Sequence, residues 1–163
     1  MLTEEKINLN FVNFISKLKK YGCYTQAMED DINFNEMLKS GSAFVRDDTG
    51  GAYDGSLIEQ ITRIAIIAYN INEKLYDEVK VTTESLIRVC YLHQISRAYI
   101  IIKNDVDWEI KKGKLFKFAN NTPALKCGEY SAYLCSKFGI QLTEDEYEAI
   151  LSIDKVDDDQ NKF

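Results

Sequence analysis

The stretch "VCYLHQISRAYI", residues 89–100, holds the only histidine of the chain, His93. An uncharged amide, Gln94, follows it, and a cation, Arg97, stands one helical turn further on. Thr83 opens this segment, and the spacing of its apolar residues predicts a helix over about 84–103. In that helix His93 falls in register with Leu86, Val89, Arg97 and Ile100, so its ring points inward or into a cleft. A lone imidazole beside an amide makes no metal or acid–base site alone. What it does depends on the segments around it.

Those segments are mostly helical. Residues 4–20 carry a stripe of Ile7, Leu9, Phe11, Phe14, Ile15 and Leu18 behind a Thr3 cap. A second helix is predicted over about 25–39, with Met28, Ile32 and Leu38 inward. "RDDTGGAYDGS" (46–56) reads as a loop, its glycines supplying backbone freedom. Ser56 and Glu59 then have the spacing of a capping box. They open a helix with Leu57, Ile61, Ile64, Ala68, Ile71 and Leu75 on one stripe, broadened by Ile58, Ile66 and Ile67. Gln60 shares a face with Leu57, Ile64, Ile67 and Ile71. So apolar a helix is expected near the middle of the fold.

Beyond residue 103 the period changes. "DWEIKKGKLFKFANNT" (107–122) alternates around a Lys-Gly centre and reads as a small β-hairpin turning at Gly113. Pro123 suits the first turn of another helix, which runs through Leu125, Tyr133, Leu134 and Phe138 to a Gly139 stop. Thr143 and Glu146 form a second capping box, before a last helix with Tyr147, Ile150 and Leu151. The expected fold is all-α, a helical bundle with one small β-hairpin insert.

The 163 residues suit one domain, expected over 1–157, with a polar end at 158–163. A formal charge of −6 and a pI near 4.9 leave no basic field to draw in nucleic acid. The lysine groups at 17, 19 and 20 and at 111, 112, 114 and 117 read as solvated faces. Cys23, Cys90, Cys127 and Cys135 form no Cys-x-x-Cys pair, and Met1 begins no apolar leader. Reduced thiols in a cytoplasmic setting are therefore expected. The longest apolar runs, near 64–69 and 98–102, are too short to span a bilayer.

Four segments, "GAYDGSLIEQ" (51–60), "YLHQISR" (91–97), "KCGEYSAYL" (126–134) and "LTEDEYEAILSID" (142–154), follow one another in an order that resembles small HD-domain proteins of phages and mobile elements. The resemblance spans about residues 43–157. It implies an HD-like helical bundle that once held divalent ions for phosphate-ester hydrolysis. Carried over residue by residue, most of the ligand pattern is gone. The first histidine of the pattern falls at Gln60, and the second is kept as His93. Its aspartate falls at Gln94, and its following lysine is Arg97. The Gly-His-Gly-Glu histidine falls at Cys127, with Glu129 kept, and the terminal histidine falls near Ile153, beside Asp154.

The chemistry of that loss is direct. An HD ion activates water for attack on a phosphate and needs imidazoles plus a carboxylate to hold it. One carboxylate at about 4 Å from a monovalent charge is worth roughly 4 kcal/mol at an effective dielectric near 20, and a dication raises that. Gln94 offers only an amide oxygen, Gln60 ligates transition metals poorly, and isoleucine ligates nothing. The expectation is a non-enzyme with no cofactor and no metal. It would act by binding a protein partner, with a phage accessory or capsid-associated role implied by the resemblance. Mutual hydrogen bonds among Gln60, His93 and Gln94 are expected to tidy the former site.

Other readings stay open. One is a nucleotide phosphohydrolase rearranged around His93, Arg97, Cys127 and Asp154. Another is a nucleotide sensor without turnover, using Arg97, though Arg97 equally suits a pair with Glu129 or Asp54. A Cys127 thiolate with His93 as base, or a Cys127/His93/Asp154 metal site, is also conceivable, whereas Glu129 suits a helix start.

Overall fold

The computed structural model describes residues 2–46 and 50–153. Asp154 and the polar end at 158–163 lie outside the described residues, as does part of the glycine-rich loop. Helix α1 (Glu4–Lys20) starts as its sequence implies, with the Thr3 hydroxyl accepting from Lys6 N, and buries Phe14 and Leu18. The segment expected as one helix over 25–39 is two, α2 (Gln26–Asp30) and α3 (Ile32–Ser40). Asp31 leaves helical geometry (φ −81°, ψ 80°) so that its carboxylate can accept from Phe34 N and cap α3. Met28, Phe34 and Leu38 are buried, but Ile32, read as inward, faces solvent because the break turns it out.

Helix α4 (Ser56–Asn72) begins without the expected capping box. Gly55 holds the cap position at φ +81°, which only glycine takes readily, and a Cβ there would meet Ile7 at 3.0 Å. The Ser56 hydroxyl donates to Gly51 O (2.6 Å) and accepts from Ala43 N (2.9 Å), pinning the loop to the helix start. Glu59 accepts instead from the Tyr53 hydroxyl, 2.6 Å away. The helix stops at Asn72, whose amide exchanges two hydrogen bonds with the Val81 backbone. A single 3-10 turn (Asp77–Val79) follows.

The helix expected over 84–103 is shorter. Helix α5 (Thr83–Leu92) ends at His93, and a turn leads into α6 (Arg97–Ile100) and strand β1 (Ile101–Lys103). Ser96 N bonds to the Ser131 hydroxyl at 3.2 Å rather than to a carbonyl one helical turn back. The run of isoleucines at 100–102 then favours extended backbone. The sheet is real but its partners differ from the expected hairpin. β1 pairs antiparallel with β2 (Phe116–Phe118), Ile101 opposite Phe118, while Trp108 and Ile110 lie in a helical turn, α7 (Asp107–Ile110). The Gly113 turn has φ +85°, as its position implies.

Helix α8 (Cys127–Lys137) starts later than Pro123 suggests, at a cap closed by Glu129, and gives way to Gly139 at φ +69°. Helix α9 (Glu144–Ser152) has the expected box: the Thr143 hydroxyl accepts from Glu146 N and Glu146 from Thr143 N. The core gathers Phe14, Phe34, Leu57, Ile61, Leu92 and Phe138 from four helices and the α8 end. Phe14 stacks on Tyr91 at 5.0 Å, and Phe34 meets Phe138 at 4.8 Å. A small second cluster, Ala52, Ile101 and Phe116, seats the sheet on the glycine-rich loop. The expected all-α character therefore stands, with one two-stranded sheet. Among the described residues, no helix is long and apolar enough to cross a membrane.

The bundle is closed by one ionic node. Arg88 on α5 donates from Nε to Glu146 Oε1 (2.9 Å), and Ser85 donates to the same oxygen at 2.9 Å. The rest of the guanidinium donates to Tyr21 O (2.9 Å) and to Gln141 O. Burial alone raises the Glu146 carboxyl, but the bonds from Arg88, Thr143 and Ser85 outweigh it and hold it below the ordinary carboxylate range. Glu146 is almost wholly buried, so removing it leaves a desolvated cation. Glu146→Ala is expected to cost about 3–5 kcal/mol in urea unfolding, against almost nothing for the exposed Glu148→Ala. Because the Glu146 pKa is depressed on folding, its contribution is full above the ordinary value of 4.5 and fades as pH falls toward the folded value.

Candidate functional site

The α5–α6 turn carries His93, Gln94, Ser96 and Arg97, and the start of α8 faces it. His93 is the C-cap of α5, where the last carbonyls of a helix lack intrahelical partners. Its Nδ1 lies 2.7 Å from Cys90 O. A carbonyl only accepts, so Nδ1 carries the proton and the imidazole caps the helix end. Burial pushes the His93 pKa below its ordinary 6.5, the hydrogen bond to Cys90 only partly offsets this, and Arg97 adds to the depression. The ring is held neutral at pH 7.

Gln94 is buried, and its Oε1 has no hydrogen-bond partner. The expected mutual bonding among Gln60, His93 and Gln94 is not formed among the described residues. Gln60 sits on α4, half-buried, in a depression of about 310 Å³ shared with Phe44, Gly51 and Ser56. Arg97 does not pair with Glu129 or Asp54. It donates to Ala43 O and lies over the Phe44 ring at 5.7 Å. A Cβ on Gly51 would come within 2.4 Å of that same ring, so the absence of a side chain there makes room for Phe44 under Arg97. Asp54 pairs with Lys103 instead, 2.9 Å away.

Cys127 faces Ser96, its Sγ 3.3 Å and its carbonyl oxygen 2.8 Å from the Ser96 hydroxyl oxygen. Ser131 donates to Ser96 Oγ at 2.9 Å, completing a buried polar contact between the turn and α8. Glu129 spends its carboxylate on Lys126 N (3.0 Å), the helix-start role its position implies. Ser96 and Ser131 are thus the residues that sequence reasoning passed over. Their signal, one serine in each of two apolar helical segments, is too common to single out without the fold.

The groups on the turn or facing it are therefore His93, Gln94, Ser96, Arg97 and Cys127; Gln60 lines the depression with Ala43 and Phe44, the two residues that Arg97 contacts, and Asp154 is outside the described residues. Among the described residues they do not make up a divalent-ion site. With its Nδ1 protonated toward Cys90 O, His93 has only its other ring nitrogen to offer, Gln94 has a neutral oxygen, and the Glu129 carboxylate is committed to its helix start. Among the described residues, no three His, Cys, Asp or Glu side chains stand close enough to share an ion. The other thiols suit the inside of a fold: burial raises Cys23 and Cys90 to about 11 and Cys135 to about 12.

Two measurements follow from these contacts. Gln94→Met keeps the volume while removing the orphaned oxygen, and it is expected to raise stability by about 1 kcal/mol in urea unfolding. The unfolded chain protonates His93 before the folded chain does, so stability should fall as pH drops below about 6.5. In His93→Gln that slope should vanish, while the carboxylate-driven loss at lower pH remains. Comparison of the chain with family models, with curated proteins and with solved structures found no match.

Proposed function

We propose that this is a catalytically inactive protein of HD-like architecture that acts by binding other proteins. The observation that carries the binding half is the outer face of α4. Ile66, Ile67 and Ile71 are each more than half exposed, although the helix was expected to lie within the core. The buried apolar residues of α4, namely Leu57, Ile58, Ile61 and Ala65, all precede Ile66. A run of exposed isoleucines on a chain with ample charge for its surface is the kind of patch that marks a partner site. The inactive half is supported by the donor set. Of the groups at the former site, two are neutral amides, one is a helix-capping imidazole, and one is a thiol resting on a serine.

A role within a phage or mobile-element assembly, as an accessory or capsid-associated subunit in the host cytoplasm or virion, follows from the resemblance of the four segments. The sensing alternative is less supported, because the Arg97 guanidinium is already engaged by Ala43 O and Phe44. The test is a phosphate-release panel of nucleotides with added Mn²⁺, run beside sedimentation with lysates of phage-producing cells. No phosphate release and co-sedimentation with a large assembly are expected. Turnover that disappears in His93→Ala would overturn the proposal.

A further inference from the structure

Beside that exposed face runs a groove between α1 and α4, of about 590 Å³. Its floor is Phe14 and Tyr91, one wall carries Ile66 and Ile67, and the other carries Asn10, Asn13 and Ser16. It continues past Lys17 and Ile66 into a second depression of about 460 Å³ over Tyr21, Tyr69 and Ile87. Three exposed cations, Lys6, Lys17 and Arg63, rim the first part, and none has an ion-pair partner among the described residues. The one acid in the lining, Glu59, is engaged by the Tyr53 hydroxyl at 2.6 Å. In a chain of net charge −6 this is a locally cationic, apolar trough.

We infer that this groove takes an acidic amphipathic helix of a partner protein; the inference rests on the protein-binding reading above and names its surface. Both walls are helices, whose backbone groups are bonded internally. An extended peptide would find no ladder partners there, whereas a helix satisfies its own backbone and offers only side chains. Lys6 and Lys17 are about 16 Å apart along α1 at 1.5 Å per residue, the length of three helical turns. Acidic side chains near both ends of a docked helix meet them, and one at its middle meets Arg63, while apolar residues at i, i+3 and i+4 cover the exposed Ile66 and Ile67 above the buried floor of Phe14 and Tyr91. A second copy of this chain is a poorer occupant. A two-fold pairing through this face sets the same patch against itself and brings Lys6, Lys17 and Arg63 together with their own copies.

The probe is a fluorescein-labelled 16-residue helical peptide with leucines along one face and glutamates flanking them, followed by anisotropy against the full-length protein. A lysine-for-glutamate version and a scrambled version serve as controls. The acidic peptide should bind, weaken with salt, and lose about tenfold in affinity to the K17E/R63E variant. That variant should gain affinity for the lysine peptide. Ile66→Ser should weaken both matched pairs, and melting curves of these surface variants should match the wild type. Equal binding of the two peptides by the wild type, or indifference to K17E/R63E, overturns the inference. So does a dimer in light scattering that Ile66→Ser dissolves, which assigns the groove to a second copy. Binding seen only after deletion of residues 154–163 overturns it too, assigning the groove to the chain's own acidic end. A failed peptide with intact co-sedimentation rejects this groove alone, whereas His93-dependent turnover rejects the proposed function.

Discussion

The guanidinium of Arg88 is the point at which the chain's ends are tied to its middle. One side chain reaches a carboxylate on α9, the carbonyl at the end of α1 and a carbonyl on the α8–α9 connection. A planar fork with five donors does this, and lysine, a point charge with no fixed geometry, does not. The arrangement closes the bundle around Phe14, Leu18 and Ile150. The contacts at the α5–α6 turn are capping and packing: His93 on Cys90, Ser96 on Cys127 and Ser131, Arg97 on Ala43 and Phe44.

Much of the helical framework was legible in residue order. The Thr3 and Thr143 caps and the Gly113 and Gly139 turns work because each depends on neighbours within four residues. The misreadings have a common cause in competition from distant groups. Ser56 and Glu59 have box spacing, yet the hydroxyl is taken by Gly51 and Ala43 and the carboxylate by Tyr53. The helix through His93 breaks because Ser131, far along the chain, takes the Ser96 amide. The sheet was expected between adjacent segments, but β2 found β1 across α7.

The candidate site was legible as a list of residues and not as a set of contacts. Gln60, His93 and Gln94 belong to one sequence pattern, but only His93 and Gln94 share the turn, and neither supplies the other's hydrogen bond. Helical periodicity also says which residues share a face without saying which faces are covered. The isoleucines of α4 lie on one broad stripe, and the bundle is wide enough to cover only half of it. That uncovered half lies next to Lys6, Lys17 and Arg63, cations with no ion-pair partner among the described residues.

The central claim is that the groups left around His93 hold no catalytic ion. Isothermal titration of the full-length protein with Mn²⁺ tests it most directly. The account expects no saturable heat beyond weak surface binding, with identical traces for the wild type and His93→Ala. A one-to-one site that disappears in His93→Ala would contradict it.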